Sequence, residues 1–544
     1  MPASLVASPL IPAHMPSRKP CKTGTRFGRP GPNVRDTLSR FQDGGRVRLN
    51  FFLSIIFVGM ILNGYDGTLI SGLQAFQSWN DDLGLTDNPN SAALLGLLNA
   101  AGPLSGFVIG PIIQWIDDTF GRRWGIRFYG YTILTGTVIS VVAGVNSAKG
   151  NSGYTLFVIG RFIIGFGQAS FLMTSLVVVQ EITHPRTRET VAGSWDSYYI
   201  IGMVLASWVN FGTSFMSGSW GWRLPYLLQV PMALYVLIAV QFMPETPRYL
   251  ISKGEDEKAL QFMATYHGNG DASDPLVVFE FQEMKDAIEA ERIAKAEKWS
   301  TILRSPSNRH RLGLAALMSF LTNLSGSSII FYYYSVVFDL VGITDTTTQT
   351  GIAAGMNVFQ WIAQIAAIWT GKYVGRKKII LANWPMLLLV LVGLTVSGAT
   401  FAHSGETDHK SAVATVALVW IYMGFYNFCN PILYSYPAEV QTFSMRSKGL
   451  LIWNSVTQIQ AIYVTFVDSI ALDAIGYKYY IVYMPLVILQ IFLVKYFMVE
   501  TKGFTLEEVA LAFENASSTN LPMIRDAEAA GTVDTASVGG DSKE

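Results

Sequence analysis

The sequence has few charged residues. Of its 544 residues, 39 are Lys or Arg and 39 are Asp or Glu, so 14% are charged and the formal net charge is zero. A typical soluble domain has about 25% charged residues. The balanced charge excludes a nucleic-acid-binding protein, which needs a basic surface. The charges are also unevenly spread, since the stretches 49–65 and 411–436 contain none.

Cysteine and histidine are scarce as well. The two cysteines, Cys21 and Cys429, can form neither a disulfide framework nor a cysteine-rich zinc site. The six histidines show no metal-ligand spacing. Because the sequence also lacks a recognisable set of nucleophile and base, we expect neither an enzyme nor a bound cofactor. Intrinsic disorder is excluded because 50% of the residues are hydrophobic.

Long apolar segments, by contrast, are abundant. Twelve of them are close to or above the roughly 20 residues that cross a bilayer as a helix. They cover 49–72, 91–114, 125–146, 154–180, 190–213, 224–243, 311–338, 348–371, 379–401, 411–436, 448–470 and 478–498. The predicted fold is therefore all-α, a polytopic membrane protein with twelve transmembrane helices in two groups of six.

Polar segments divide the chain between these helices. We predict a disordered tail over 1–46, a six-helix half over 47–243, a linker with short helices over 244–309, a second six-helix half over 310–498, and a tail over 499–544. Basic residues concentrate in the loops that follow even-numbered spans, whereas the loop after span 1 has three Asp residues. Because basic loops stay on the cytoplasmic side, the linker and both termini are predicted to be cytoplasmic.

Three features of the first half recur in the second half at nearly one spacing. Gly121-Arg122-Arg123 returns as Gly375-Arg376-Lys377, the seven-residue separation of Glu181 and Arg188 returns as Glu439 and Arg446, and Pro244-Glu245-Thr246 returns as Val499-Glu500-Thr501. The chain is therefore predicted to be a duplication of one six-helix unit. In transporters built from such repeats, the substrate site lies near the membrane midplane between the halves.

Several short motifs point to a known family. They are Gly64-Tyr65-Asp66, Gly121-Arg122-Arg123, Gly160-Arg161, Trp222-Arg223 and Pro244 to Leu250, followed by Tyr332-Tyr333, Arg446 to Gly449 and Glu500 to Gly503. With these motifs, the chain resembles the sugar-porter family of the major facilitator superfamily from about residue 49 to 510. The segments 267–277 and 475–483 resemble the fungal branch that includes lactose permeases and cellodextrin transporters.

The resemblance implies where a substrate would bind. The family holds its sugar with polar residues of spans 5, 7 and 8 and a Trp of span 10. The corresponding residues here differ but keep hydrogen-bonding groups: Asp196, Asn323, Ser328, Gln360 with Asn357 one turn away, and Tyr434. Amides, hydroxyls and an aromatic face suit a sugar or glycoside, although the changes leave an acidic or amine-bearing ligand open. Alternatively, these polar groups serve only helix packing.

Asp66 is a carboxylate within an apolar span. Such groups are costly in a bilayer and often mark a proton relay. Because proton-coupled members of the family have an Asp here, the resemblance implies that Asp66 couples transport to protons. The alternative is a structural pair with an arginine such as Arg161. Asp196 is a second carboxylate of this kind, for coupling or for ligand binding.

Opposite charges lie at the predicted cytoplasmic helix ends. They are Asp118, Arg122, Glu181 and Arg188 in the first half, and Arg376, Glu439 and Arg446 in the second. By resemblance, this set closes an inner gate when the pathway faces outward. The rule of basic cytoplasmic loops also accounts for the arginines, but not for the glutamates. Lys372 replaces an acidic residue of the family, so we expect the first-half charges to matter more.

These features predict a secondary active transporter that moves a sugar or sugar-like molecule by alternating access, with proton symport favoured. The expected partners are the substrate, H⁺ and the lipid bilayer, with no nucleic acid. The protein is expected to work as a monomer in the plasma membrane. Three alternatives stay open: a facilitated-diffusion carrier, an exporter of a fungal small metabolite, and a transporter-like nutrient sensor.

Overall fold

The structure is a computed structural model that describes residues 44–502, except 87, 146–149, 269, 296–298, 372, 405–408 and 442–444. Every regular element in this part of the chain is a helix. The first helix begins at Gly44, three residues before the predicted boundary at 47. Residues 1–43 and 503–544 of the predicted tails lie outside the described residues, so the disorder and location of the tails stay predictions.

Six helical stretches follow one another in the first half. They are α1 (Gly44–Leu73), α3 (Ser91–Phe120), α4 (Arg122–Val142), α5 (Asn151–Ile182), α6 (Pro185–Thr213) and the pair α7 (Trp220–Leu227) and α8 (Gln229–Ala239), with the short α2 (Gln77–Leu83) after α1. Their short connections make successive stretches antiparallel. We call the end of the bundle where α1 begins the linker end, and the end where α1 stops at Leu73 the far end.

The linker and the second half continue this pattern. The linker forms α9 (Pro247–Ser252), α10 (Asp256–Tyr266), α11 (Pro275–Lys295) and α12 (Trp299–Arg304), and the second half forms α13 (Pro306–Asn323), α14 (Ser327–Asp339), α15 (Thr346–Thr370), α16 (Arg376–His403), α17 (His409–Glu439), α18 (Arg446–Ile475) and α19 (Tyr479–Phe497). The predicted span at 311–338 is broken between α13 and α14. Gly326 has a φ of 99° there, a conformation that glycine adopts without steric cost.

Nine stretches of the described chain are long and apolar enough to cross a membrane. One of them, Lys448–Phe497, contains both α18 and α19, so the nine include ten of the twelve predicted spans. The other two are less apolar, because α4 has three arginines among its first six residues and α6 contains Asp196 among serines. Large apolar side chains on the outer surface, such as those of Ile238, Leu389 and Val413, are 60–69% exposed, as expected of helices that face lipid.

Each half has its own hydrophobic core. Ile56, Tyr129 and Trp222 are buried in the first core, and residues of α14 and α16–α19 are buried in the second. The first core also includes Phe262 of α10 and Val277 of α11. These two linker helices are therefore packed against the first half.

Within the described part of the chain, the most extensive contacts between the halves are those of α3 with α18, α6 with α15, and α1 with α14. The first two pairs lie side by side along the bundle, and the third joins α1 to the helix that follows the break at Gly326. Polar side chains on these helices face the interface between the halves. The interface between the halves is therefore the candidate functional site.

Candidate functional site

A row of side-chain amides on α15 and α17 reaches α6 through one hydrogen bond between the halves. Asn357 Nδ2 donates a hydrogen bond to Ser207 Oγ on α6. Gln360 Nε2 donates to Asn357 Oδ1 at 3.0 Å, and Asn427 Nδ2 on α17 donates to Gln360 Oε1 at 2.8 Å. All four residues are buried. Asn357 and Gln360 are predicted site residues. Asn427 is an addition, and its signal in the sequence was its position two helical turns before Tyr434.

Asp196 makes a second polar contact between the halves. Its Oδ2 accepts a hydrogen bond from Gln364 Nε2 on α15 at 2.6 Å. Gln364 lies four residues after Gln360, so the two amides share one face of α15. That spacing was the sequence signal for Gln364. The structure thus brings the predicted residue Asp196 to the same helix face as the amide row.

Two further predicted residues, Asn323 and Tyr434, are only partly covered. Asn323 Nδ2 donates to Ser319 O in the preceding turn of α13 at 3.3 Å, a bond that engages one donor and leaves Oδ1 for another partner. Tyr434 is 43% exposed, and its ring meets that of Trp453 edge-on with centroids 5.4 Å apart. Both side chains therefore have hydrogen-bonding capacity beyond these contacts.

Ser328, the remaining predicted binding residue, lies in a buried cluster around Asp468 of α18. The Asp468 carboxylate accepts hydrogen bonds from Ser328 Oγ at 2.6 Å, from Tyr479 Oη at 2.7 Å and from Tyr483 Oη at 2.6 Å. The cluster joins α14 to α18 and α19. Asp468 was missed in the sequence, although it meets the criterion applied to Asp66, a carboxylate within an apolar span.

Asp66 of α1 is fully buried and faces α5. Its Oδ2 accepts hydrogen bonds from Arg161 Nη1 at 2.6 Å and from Gln168 Nε2 at 2.9 Å. Among the described residues, no hydrogen-bond partner is found for its Oδ1. The pair that the sequence suggested between Asp66 and Arg161 therefore exists. A coupling role for Asp66 stays a prediction, because a structural pair and a proton site share this geometry.

The predicted charges of the first half meet around Arg122 at the linker end. The Arg122 guanidinium lies 3.4 Å from Glu181 Oε2 and 3.7 Å from Asp118 Oδ1. Its Nη1 also donates to Asp117 O at 3.0 Å. Glu181 is buried, whereas the Asp118 side chain is 49% exposed. The contact with Glu181 is therefore the better shielded of the two.

A smaller set occupies the corresponding place in the second half. Arg376 Nε lies 3.5 Å from Glu439 Oε2, which also accepts a hydrogen bond from Thr501 Oγ1 at 2.8 Å. Lys372 and the side chain of Arg446 lie outside the described residues. The two halves thus share an arginine–glutamate pair at equivalent positions.

Arg188 contacts the linker. Its Nη2 lies 3.4 Å from Glu280 Oε1 on α11, while Glu181, seven residues earlier, contacts Arg122. The separation of seven residues in the sequence therefore does not correspond to a direct pair. The role of Arg188 in a gate stays a prediction.

The repeated Pro/Val-Glu-Thr motif has a structural purpose that the sequence did not show. Glu245 Oε1 accepts from the main-chain N of Arg122 at 2.6 Å at the start of α4, and Glu500 Oε1 accepts from Arg376 N at 2.8 Å at the start of α16. Each glutamate satisfies main-chain N–H groups that a helix start leaves unpaired. Burial raises the pKa of the Glu245 carboxyl, and the hydrogen bonds from these amides oppose the increase.

A family profile described as sugar (and other) transporter matches residues 52–513. The chain belongs to this family. The low-affinity glucose transporter HXT4 of Saccharomyces cerevisiae is 26% identical over 472 residues, which cover 85% of this chain and 80% of its own length. The high-affinity hexose transporter HXT6 of the same yeast is 27% identical over 482 residues, covering 86% and 82% of the two chains.

Solved structures show the same fold. The xylose transporter XylE from E. coli in an inward open conformation has a TM-score of 0.71 and 19% identity, covering 85% of this chain and 99% of XylE. The proton:xylose symporter XylE bound to 6-bromo-6-deoxy-D-glucose has a TM-score of 0.67 and 21% identity, covering 86% and 99%. The predicted all-α major facilitator fold is thereby confirmed.

In this sugar-transporter family member, hydrogen bonds join the halves at the far end. Ser71 Oγ of α1 and Nε2 of Gln74, the residue after α1, donate to Phe331 O and Tyr332 O of α14 at 2.8 and 3.0 Å. At the linker end, the ion pairs described above join groups within one half, or the first half and the linker. The far end is therefore closed across the halves.

Glu181→Gln is expected to lower the free energy of unfolding by about 1–3 kcal/mol, because it weakens a buried bond to a charged group. Asp118→Asn, on the same guanidinium, should cost less than about 1 kcal/mol, because Asp118 is exposed. Thermal unfolding of the two purified variants in detergent measures the difference. Equal losses would mean that burial does not separate the two contacts of Arg122.

Proposed function

We propose that this chain carries a sugar or a related neutral polyhydroxy compound across the membrane by alternating access, in symport with protons. The two halves supply different sides of one polar interface, which suits a carrier that opens alternately on either side of it. The same function is supported by relatives that are named as glucose and hexose transporters. A structural neighbour is named as a proton:xylose symporter.

The amide row is the proposed recognition element for the substrate. An amide has two N–H donors and two acceptor sites. The hydrogen bonds of Gln360 to Asn357 and Asn427 use one donor and one acceptor site of its amide. Hydroxyl groups of a sugar can use the rest, and Tyr434 offers a partly exposed ring for the apolar face of a sugar. Asp196 adds an acceptor beside the row, which would also attract an amine-bearing ligand.

The observation that carries the proposal of symport is the contact between Asp66 and Arg161. Protonation of Asp66 would remove the negative charge that holds Arg161 at 2.6 Å, so the contact between α1 and α5 would change when a proton binds. A carboxylate buried in a span is the kind of group that marks a proton relay, and one oxygen of Asp66 has no partner among the described residues. The alternative, facilitated diffusion, requires Asp66 to act only in folding.

We further propose that the linker end faces the cytoplasm, in the plasma membrane. The helix starts at this end carry the basic clusters of α4 and α16, and α2 at the far end carries two Asp residues, in agreement with the rule for basic loops. Since one chain contains both sides of the interface, a monomer suffices for transport.

Uptake of radiolabelled mono- and disaccharides into proteoliposomes, with and without an imposed pH gradient, tests this proposal. Asp66→Asn should abolish gradient-driven accumulation while sugar exchange at equal pH continues, because the amide oxygen can still accept from Arg161. Asp82→Asn is the matched control, since Asp82 is also buried and contacts Arg223 at 3.4 Å; it should accumulate sugar normally.

Four results would contradict the proposal. Accumulation by Asp66→Asn under the gradient would exclude coupling through Asp66. A wild-type protein that equilibrates sugar without responding to the gradient would be a facilitated carrier. Binding of sugar without any transport would indicate a nutrient sensor, and loss of a preloaded metabolite in place of sugar uptake would indicate an exporter.

A further inference from the structure

The linker contains a buried histidine–carboxylate pair that is separate from the proposed substrate site. His267 follows directly after α10, and its side chain is fully buried. Its Nδ1 lies 2.8 Å from Glu280 Oε2 on α11, and its Nε2 lies 3.1 Å from the main-chain O of Ile182, the last residue of α5. One imidazole thus joins two linker helices to the first half.

Both ring nitrogens of His267 face oxygen atoms, and this fixes the number of protons. A main-chain carbonyl only accepts, so Nε2 must carry a hydrogen. The contact between Nδ1 and Glu280 is then a hydrogen bond only if another proton lies on the imidazole or on the carboxyl. A neutral His267 beside an ionised Glu280 would instead bring two lone pairs together in a buried space. The docked arrangement therefore requires one bound proton.

Two neighbouring features favour this proton on His267. The residue follows the last turn of α10, with its main-chain N donating to Met263 O at 2.8 Å, and a cation is favoured at a helix C-terminus. Arg188 lies 3.4 Å from Glu280 Oε1 and so favours the ionised carboxylate. The structure is thus best described as an imidazolium between a carboxylate and a carbonyl.

Other titratable groups occur on the segments packed around the pair. They are His184, whose ring centroid is 5.4 Å from that of His267, Glu181, which contacts Arg122, and Asp271, which accepts hydrogen bonds from Ser273. Of these, His184 is the other imidazole, and its ring lies against that of His267. It is therefore the residue that an experiment must separate from His267.

We propose that His267 and Glu280 form a proton-binding site that docks the linker onto the first half, so that the linker is held at low pH and released as pH rises at the linker end. Loss of the proton leaves two buried acceptors in contact, which is unfavourable. Because proton binding and docking are thermodynamically linked, a proton that stabilises the docked linker is also bound more tightly in the docked state. Ile182 adjoins Glu181, so the docked linker lies directly beside the Arg122–Glu181 pair.

Hydrogen–deuterium exchange of α11 in the full-length protein, in lipid nanodiscs between about pH 5.5 and 8.5, tests the proposal. After correction for the intrinsic pH dependence of exchange, α11 of the wild type should exchange about tenfold faster at the upper end of the range. His267→Gln cannot take up the proton and should show no such change. His184→Gln, the matched control, should behave as the wild type.

Glu280→Gln provides the opposite variant. Its amide can donate to Nδ1 of a neutral histidine, so docking needs no extra proton, and α11 should stay protected over the whole range. NMR of ¹⁵N-labelled histidine, with His267→Gln to assign the signal, should show both ring nitrogens of His267 protonated at low pH. Constant protection of α11 in the wild type, an unchanged pH dependence in His267→Gln, or a neutral His267 in the docked protein would each overturn the proposal. None of these measurements depends on transport.

Discussion

Arg161→Met is expected to lower the free energy of unfolding by about 3–5 kcal/mol. The Asp66 carboxylate is fully buried, and the substitution would leave its negative charge with Gln168 as its remaining described donor. Methionine keeps much of the apolar stem of arginine, so lost packing is a minor part of the effect. A fall in the Tm of the purified protein in detergent measures the loss.

A double variant separates the charge from the packing. Asp66→Leu added to Arg161→Met removes both partners, and replacing a buried ion pair by apolar groups is often close to neutral. The double variant should therefore recover most of the Tm that Arg161→Met loses. If both proteins unfold at the same temperature, the buried charge is not the cause of the instability.

Gly202→Ala should separate α1 from α6 and cost about 1–3 kcal/mol or more, as overpacking of a close contact does. A Cβ at 202 would overlap with the main-chain O of Ile61, and a Cβ at Gly64 would overlap with Tyr199 O. The two helices thus touch backbone to backbone at reciprocal glycines. Because α1 carries Asp66 and α6 carries Asp196, we expect transport to fall together with Tm.

Gly212→Ala is the matched control on the same helix. A Cβ there would meet nothing within 4 Å, and alanine is a better helix former than glycine by up to about 1 kcal/mol. This variant should keep or raise the Tm and keep transport. Equal Tm values for Gly202→Ala and Gly212→Ala would show that the close approach does not determine the stability of this helix pair.

The positions of the twelve membrane spans could be predicted from the sequence for a simple physical reason. A backbone in lipid must satisfy its own hydrogen bonds, so each of the twelve apolar segments has to be helical, and the structure has a helical stretch at each. The exceptions are local. The break of span 7 at Gly326 was not predicted, and α4 and α6 are less apolar than the other spans because they contain charged residues.

The residues of the candidate site could be predicted from the sequence only in part. Residues that a helical repeat brings to one face, such as Gln360 and Gln364, can be grouped by their spacing in the sequence. Asn427 and Ser207 bond to the two ends of this group from two other helices, and no spacing in the sequence links either residue to Gln360. A hydrogen bond between distant segments depends on how the helices pack, which no single segment encodes.

The sequence by itself determined the class of protein, the two halves and their family, because these follow from apolar length, duplication and motifs. The tertiary structure decided the partners of the polar groups. It placed Ser328 on Asp468, Arg188 on Glu280 and Arg122 on Glu181. The physical reason is that a buried polar or charged group must pair with a group close to it in space. Which group is close depends on how the linker and the two halves pack against one another.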